Sequence, residues 1–158
     1  MFRNVARFKQ ALDDAACEHI LKTALRGVLS VQGDDGYPYG MPLNHWYDPA
    51  KRTLYFHSGK HGHRADALAK CDKVSYCVLS DGEPIPGHWA LRFSCVIAFG
   101  RMRPVTDEAE AMNICRALSH KFTADDAYIE DEIARLHANT VVYALSIEHL
   151  TGKTVKES

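Results

Sequence analysis

Residues 28–32, 37–47 and 53–57 form three runs rich in β-branched and aromatic side chains, and the two connections between them are very short. The first is Gly33-Asp34-Asp35-Gly36 and the second opens on Asp48-Pro49, both strong turn formers. A parallel crossover needs about a dozen residues or more, so these strands pair antiparallel. The texture continues through residues 73–80, through a long run over residues 88–105 in which Gly100 marks a bulge or sharp bend, and through residues 140–150. In the last of these Val141, Tyr143, Leu145 and Ile147 alternate, the period of a strand with one buried face. Many short antiparallel strands cover their edges best by closing wholly or partly into a barrel, and a doubly wound nucleotide fold is disfavoured.

Helices flank this β framework. Cys17, Ile20, Leu21 and Ala24 follow i, i+3, i+4, i+7 spacing behind Asp13 and Asp14. Residues 64–70 read as a short helix. Thr106, Asp107 and Glu108 announce a third, whose apolar face is Ala111, Ile114, Cys115, Leu118 and Phe122, and Ile129, Ile133 and Leu136 mark a fourth over residues 125–137. Pro38 and Pro42 each remove a ladder donor from the second β run, so that strand is kinked or borders an unpaired face. There, backbone groups of Met41 to Asn44 are free to meet the edge of a heterocycle, and the Asn44 amide both donates and accepts. A proline-protected edge strand is the plainer alternative. Tyr37, Tyr39, Trp46, Tyr47, Trp89 and Phe93 are assigned mainly to core or subunit interface.

Lysine plus arginine number 19 against 20 acidic residues, a net charge of −1, so no overall field recruits nucleic acid or an anionic membrane. The five cysteines are odd in number, widely spaced and without a CxxC, which points to a reducing compartment rather than a disulfide framework. The amino-terminal residues mix charge with isolated apolar side chains, and no window reaches the length of a membrane span. The expectation is a single cytoplasmic domain over residues 1–158.

The densest polar constellation is His57-Ser58-Gly59-Lys60-His61-Gly62-His63-Arg64. It follows a strand and feeds a helix amino terminus. Two glycines allow close backbone approach, Ser58 offers a hydroxyl, and Lys60 and Arg64 add cationic donors beside the positive helix end, a combination suited to a phosphate monoester. It is not a Walker A loop, since the glycine spacing and the following Ser or Thr are missing. A solvated surface turn is the competing reading. His57, His61 and His63 bind metals by type, yet neither HExxH nor a Cys/His pair of zinc spacing occurs, so no metal is expected. No serine or cysteine sits in a nucleophile context.

Four segments in order, GVLSVQGDDGYPYGMPLNHWYD, LYFHSGKHGHRADAL, RFSCVIAFGRMRPVTDEAEA and SIEHLTGK, cover nearly the whole chain. Together they resemble the nitroimidazole-resistance branch of the pyridoxamine 5'-phosphate oxidase-like flavin-binding split barrels. That resemblance implies a mainly β fold with flanking helices, a six-stranded antiparallel split barrel, and a homodimer holding two FMN molecules between subunits. By position, Met41, Pro42, Leu43 and Asn44 would line the flavin ring, and His57, Ser58, Lys60, His63 and Arg64 would surround the ribityl phosphate and the adjoining ring edge. FAD is an alternative cofactor, and the number of histidines there leaves an altered ligand or a haem in place of flavin as another. The implied activity is an FMN-dependent oxidoreductase passing electrons from a nicotinamide or other donor to a small oxidised acceptor such as a nitroaromatic. The alternative is a non-catalytic flavin- or haem-binding carrier or redox sensor.

Overall fold

A computed structural model describes residues 2–156. Its strands are β1 (Arg26–Gln32), β2 (Pro38–Asn44), β3 (Trp46–Asp48), β4 (Thr53–Gly59), β5 (Lys73–Leu79), the two-residue β6 (Glu83–Pro84), β7 (Leu91–Pro104) and β8 (Thr140–Lys156). Seven of them lie across the sheet in the order β2-β1-β5-β7-β8-β4-β3, all pairs antiparallel, and β6 hangs on β7. The strands at the two ends of that order, β2 and β3, are separated in the chain only by His45. The sheet therefore curls until both of its edges belong to one bent run of chain, and the result is a split barrel.

The strand count is seven in that path where six were expected. The reason is the bend at His45: the run over residues 37–47 does not stay one strand in a meander, but sends one arm to β1 and the other to β4. The two prolines sit where a missing N–H does least harm, because β2 pairs only with β1 and its other edge is open. Gly100 marks the irregularity anticipated for the long strand. The β7–β8 register shifts between Phe99 and Gly100, and a Cβ at Gly100 would lie 1.9 Å from the Ser146 carbonyl oxygen, so only glycine fits.

Among the described residues there are four α-helices: α1 (Asp14–Thr23), α2 (His63–Lys70), α3 (Glu108–Ser119) and α4 (Asp126–Leu136). Asp13, Asp107 and Asp125 cap α1, α3 and α4, each side chain accepting from a backbone N–H three residues on. Side chains alternate across β4, so Leu54 and Phe56 join the main core inside the barrel, with Leu29, Tyr76 and Leu145. Tyr55 faces outward and packs with Val142 and Ile114 in a smaller core beneath α3. Among the described residues no helix is long and apolar enough to cross a membrane.

His45 is fully buried and joins three elements. Its Nε2 lies 2.7 Å from the carbonyl oxygen of Leu21, in the last turn of α1, which can only accept. Nε2 therefore carries the proton and supplies a partner for a helix-end carbonyl that has none within the helix. Nδ1 is 2.9 Å from the Tyr76 hydroxyl, which also reaches the Leu43 carbonyl oxygen at 2.7 Å, so one hydroxyl hydrogen serves two acceptors. Lys121 Nζ closes the seam from outside, donating to the carbonyl oxygens of Ala24 at 2.6 Å and His45 at 2.9 Å.

Burial, reinforced by the Lys121 charge, pushes the His45 imidazole down to about 4. An unfolded histidine titrates near ~6.5. Unfolding therefore takes up a proton between those values, and the contribution is fully present above ~6.5 and lost as pH falls toward the folded value, a change of about 3 kcal/mol. Nuclear magnetic resonance titration should find His45 neutral at pH 6 in the native protein. Replacing it with Gln should flatten the fall in stability to urea between pH 6.5 and pH 4. A His45 ring already cationic at pH 6 contradicts this account.

Candidate functional site

The bend at His45 opens a cleft as well as closing the sheet. Beyond the bend, β3 pairs with β4 only over Thr53, Leu54 and Tyr55, so the edge of β4 from Phe56 onward lacks a neighbour on that side. The open edge of β2 lies across the gap. Arg26, Pro42, Leu43, Asn44 and His57 line this cleft, about 300 Å³ in volume. Three residues assigned to the flavin ring thus converge with His57 of β4, although they are far apart in sequence. Met41 does not join them by its side chain: alternation along β2 sends it into the main core, where it is 8% exposed.

The same alternation divides His57 from Ser58. His57 pairs across from Val142 on the outer face of β4 and β8, open to the cleft, whereas Ser58 is buried on the inner face. Desolvation by the surrounding protein, with the Arg64 charge, holds the His57 imidazole below its ordinary value and so favours its neutral form. On the inner side, an Arg64 Nη2 donates to Ser58 Oγ, and Ser58 Oγ lies 2.9 Å from the Gly59 carbonyl oxygen. Arg64 Nε is buried with no hydrogen-bond partner. A buried guanidinium N–H left without an acceptor is costly.

The loop between β4 and α2 is three residues long, Lys60 to Gly62, and Gly62 sits just before α2 at φ 111° with no side chain to cap it. The first N–H groups of α2 thus point out of the helix end without a side-chain cap. Open space surrounds both Gly59 and Gly62, where an added Cβ would meet nothing within 4 Å. Lys60 and His61 are exposed. His63 turns away from the cleft: its ring stacks on Tyr39 at 4.1 Å between centroids, and its Nε2 is 3.5 Å from an Asp34 carboxylate oxygen. The loop histidines therefore do not converge. Among the described residues no three His, Cys, Asp or Glu side chains form a metal-binding group.

Two contributors were not visible in the sequence. Arg26 donates from Nε to Asn44 Oδ1 at 3.2 Å and so orients that amide, yet it belongs to no motif. Tyr143, read as strand core, is buried close enough to Arg64 to feel its charge. A larger cleft of about 900 Å³ adjoins the first, sharing Asn44 and His57 with it, and reaches Lys60 and the helices α3 and α4.

Residues 13–154 match the family model described as pyridoxamine 5'-phosphate oxidase. Among curated proteins no sequence matches. Of solved structures, a Bacteroides thetaiotaomicron protein provisionally named as a 5-nitroimidazole antibiotic resistance protein superposes with a TM-score of 0.77 at 21% identity, over 92% of this chain and 87% of that one. A FAD-binding protein from Mesorhizobium loti gives a TM-score of 0.67 at 21% identity, over 92% and 97% of the two chains. The FAD and haem binding protein of Mycobacterium smegmatis gives 0.69 at 19% identity, over 92% and 72%. At these identities what is shared is the fold.

The loop geometry predicts that its two glycines are not equivalent. Gly62→Ala forces an L side chain into a positive φ and should cost about 1–2 kcal/mol. Gly59→Ala has ordinary backbone and free space and should be nearly neutral. Paired urea denaturation curves check this, and equal effects would show that the loop does not hold the described backbone.

Proposed function

The chain belongs to the pyridoxamine 5'-phosphate oxidase family, and from that premise we propose that it is an FMN-binding flavoprotein acting as a reductase. It would pass electrons from a nicotinamide or another donor to a small oxidised acceptor such as a nitroaromatic. The observation that carries the cofactor reading is the Arg64 guanidinium, held by Ser58, set beside Lys60 and the uncapped start of α2. These donors fit a phosphate monoester: a planar guanidinium, an ammonium and backbone N–H groups. Pro42, Leu43, Asn44 and His57 would hold the planar ring in the cleft between β2 and β4. FMN, when bound, supplies the electron-transfer chemistry, and the protein's part is orientation and access. The orienting groups on this chain are the Asn44 amide, fixed by Arg26, and the imidazole of His57, whose neutral form its surroundings favour.

We further propose that two copies associate, because Trp89, Leu91 and Leu79 leave apolar surface in the open that a two-fold partner would cover. Five unpaired cysteines suit a reducing cytoplasm for this dimer. A monomer mass at micromolar concentration in solution scattering, with FMN present, would exclude the dimer. Steady oxidation of NAD(P)H with an added nitroaromatic distinguishes the reductase from a carrier that binds flavin without turnover.

The phosphate assignment is tested by replacing Lys60 and Arg64 together with Ala. Charge-assisted hydrogen bonds contribute roughly 1.5–3 kcal/mol each, so FMN affinity should fall on the order of a hundredfold or more. Riboflavin, which lacks the phosphate, should be affected far less. Fluorescence titrations with both flavins, alongside circular dichroism, read the result. Equal loss for both flavins in a melted protein would mark the two residues as structural.

A further inference from the structure

We propose that the 900 Å³ cleft between α3, α4 and the outer face of β4 and β8 is a binding site for a second small molecule, uncharged and largely apolar. Its role as the site of an electron acceptor rests on the flavin reading above; the binding itself does not. The volume is that of a pocket for a drug-sized ligand and is three times the cleft assigned to the cofactor ring.

The walls are more apolar than polar, and unfilled. On α4, Ile129 is buried, but Ile133 is only half-buried and Leu136 is 45% exposed. Across the opening, Phe122 after α3 is 47% exposed. A helix pair that served only to cover the sheet would seat these side chains on Val142, burying them for about 25 cal/mol per Å². Here they line a cavity instead.

The helix pair does not hang loosely. Arg116 holds Glu130 with two hydrogen bonds, tying α3 to α4, and Lys121 pins the turn between them to the carbonyl oxygens of Ala24 and His45. The far wall is therefore a preformed surface.

Charge selects the occupant. Glu108 and Glu132 lie on the lining and Lys60 is the one lysine or arginine among the lining residues, at the end assigned to the phosphate. An anionic ligand would meet two carboxylates without a clamp of its own, whereas an uncharged, largely apolar one meets Met112, Ile133 and Phe122. Asn44 and His57 belong to both clefts, so the occupant's inner end would meet the same side chains as the cofactor ring. That continuity is what favours a small molecule in contact with the flavin site over a polypeptide segment.

The test uses the full chain, with and without FMN, and menadione as the probe. Isotope-labelled methyl groups of Ile129, Ile133 and Leu136 should shift on titration with menadione in both forms. Ile133→Trp, which fills the cleft, and Leu136→Glu, at its exposed rim, should each weaken menadione binding about tenfold while leaving FMN affinity within about twofold. A sulfonated naphthoquinone should bind more weakly than menadione to the wild-type protein. Absence of methyl shifts, or menadione affinity unchanged in both folded variants, overturns the proposal. Parallel loss of FMN and menadione affinity also overturns it, by assigning the cleft to the cofactor itself. A wild-type chain that binds menadione here without binding FMN upholds the site and refutes the flavin reading separately.

Discussion

His45 is an imidazole without access to water, engaged through both ring nitrogens, at the one residue where the sheet's two edges meet. The arrangement is demanding because each partner belongs to a different element: Leu21 ends α1, Tyr76 lies in β5, and Leu43, which shares the Tyr76 hydroxyl, lies in β2. An apolar residue at position 45 would leave the Leu21 carbonyl and the Tyr76 hydroxyl short of a partner in a dry interior. The network thus fixes where the chain bends, and the bend fixes which residues β2 and β3 can pair with. Lys121, less readily charged because it is partly buried, extends the seam to the turn between α3 and α4. Barrel closure, the α1 terminus and the placement of the outer helices therefore depend on one cluster.

Opening of the site follows from that closure. Two arms that diverge from a common residue cannot both pair with β4 along its length, so the end of β4 and the edge of β2 face one another across a gap. Backbone groups there lack a neighbouring strand, a state tolerable where solvent or a ligand satisfies them. The gap is thus a consequence of the topology, and the side chains on its rim are those that alternation leaves pointing outward.

Local pattern was enough to read the helices and their aspartate caps, the bulge at Gly100 and the buried face of β8, because each is set by residues within a few positions of one another. The bend at His45 was not legible. Its partners lie 31, 24 and 76 residues away, and within the run over residues 37–47 nothing local marks His45 as a hinge. Periodicity likewise placed Ile129, Ile133 and Leu136 on one face of α4 but could not say that only the first is buried, since a cavity wall and a core face have the same spacing. For the loop, composition identified a cationic, glycine-bearing segment, while the turning of His63 toward Tyr39 and Asp34 depends on β1 and β2 folding against α2.

Alternation along β4 also constrains how any ligand with an anionic end and a planar body could use both sets of groups. Arg64 and Ser58 lie on the inner side of the strand, and Asn44 and His57 face the cleft. A molecule touching both must pass the end of the strand, and the residue there is Gly59, around whose missing side chain there is open space. Gly62, at positive φ, turns the chain away immediately afterward and directs α2 back onto the barrel. A side chain at Gly59 that leaves the backbone undisturbed would then obstruct a ligand longer than the cleft while sparing one confined to it. The length of the bound molecule, more than the charge of the loop, is what these two glycines admit.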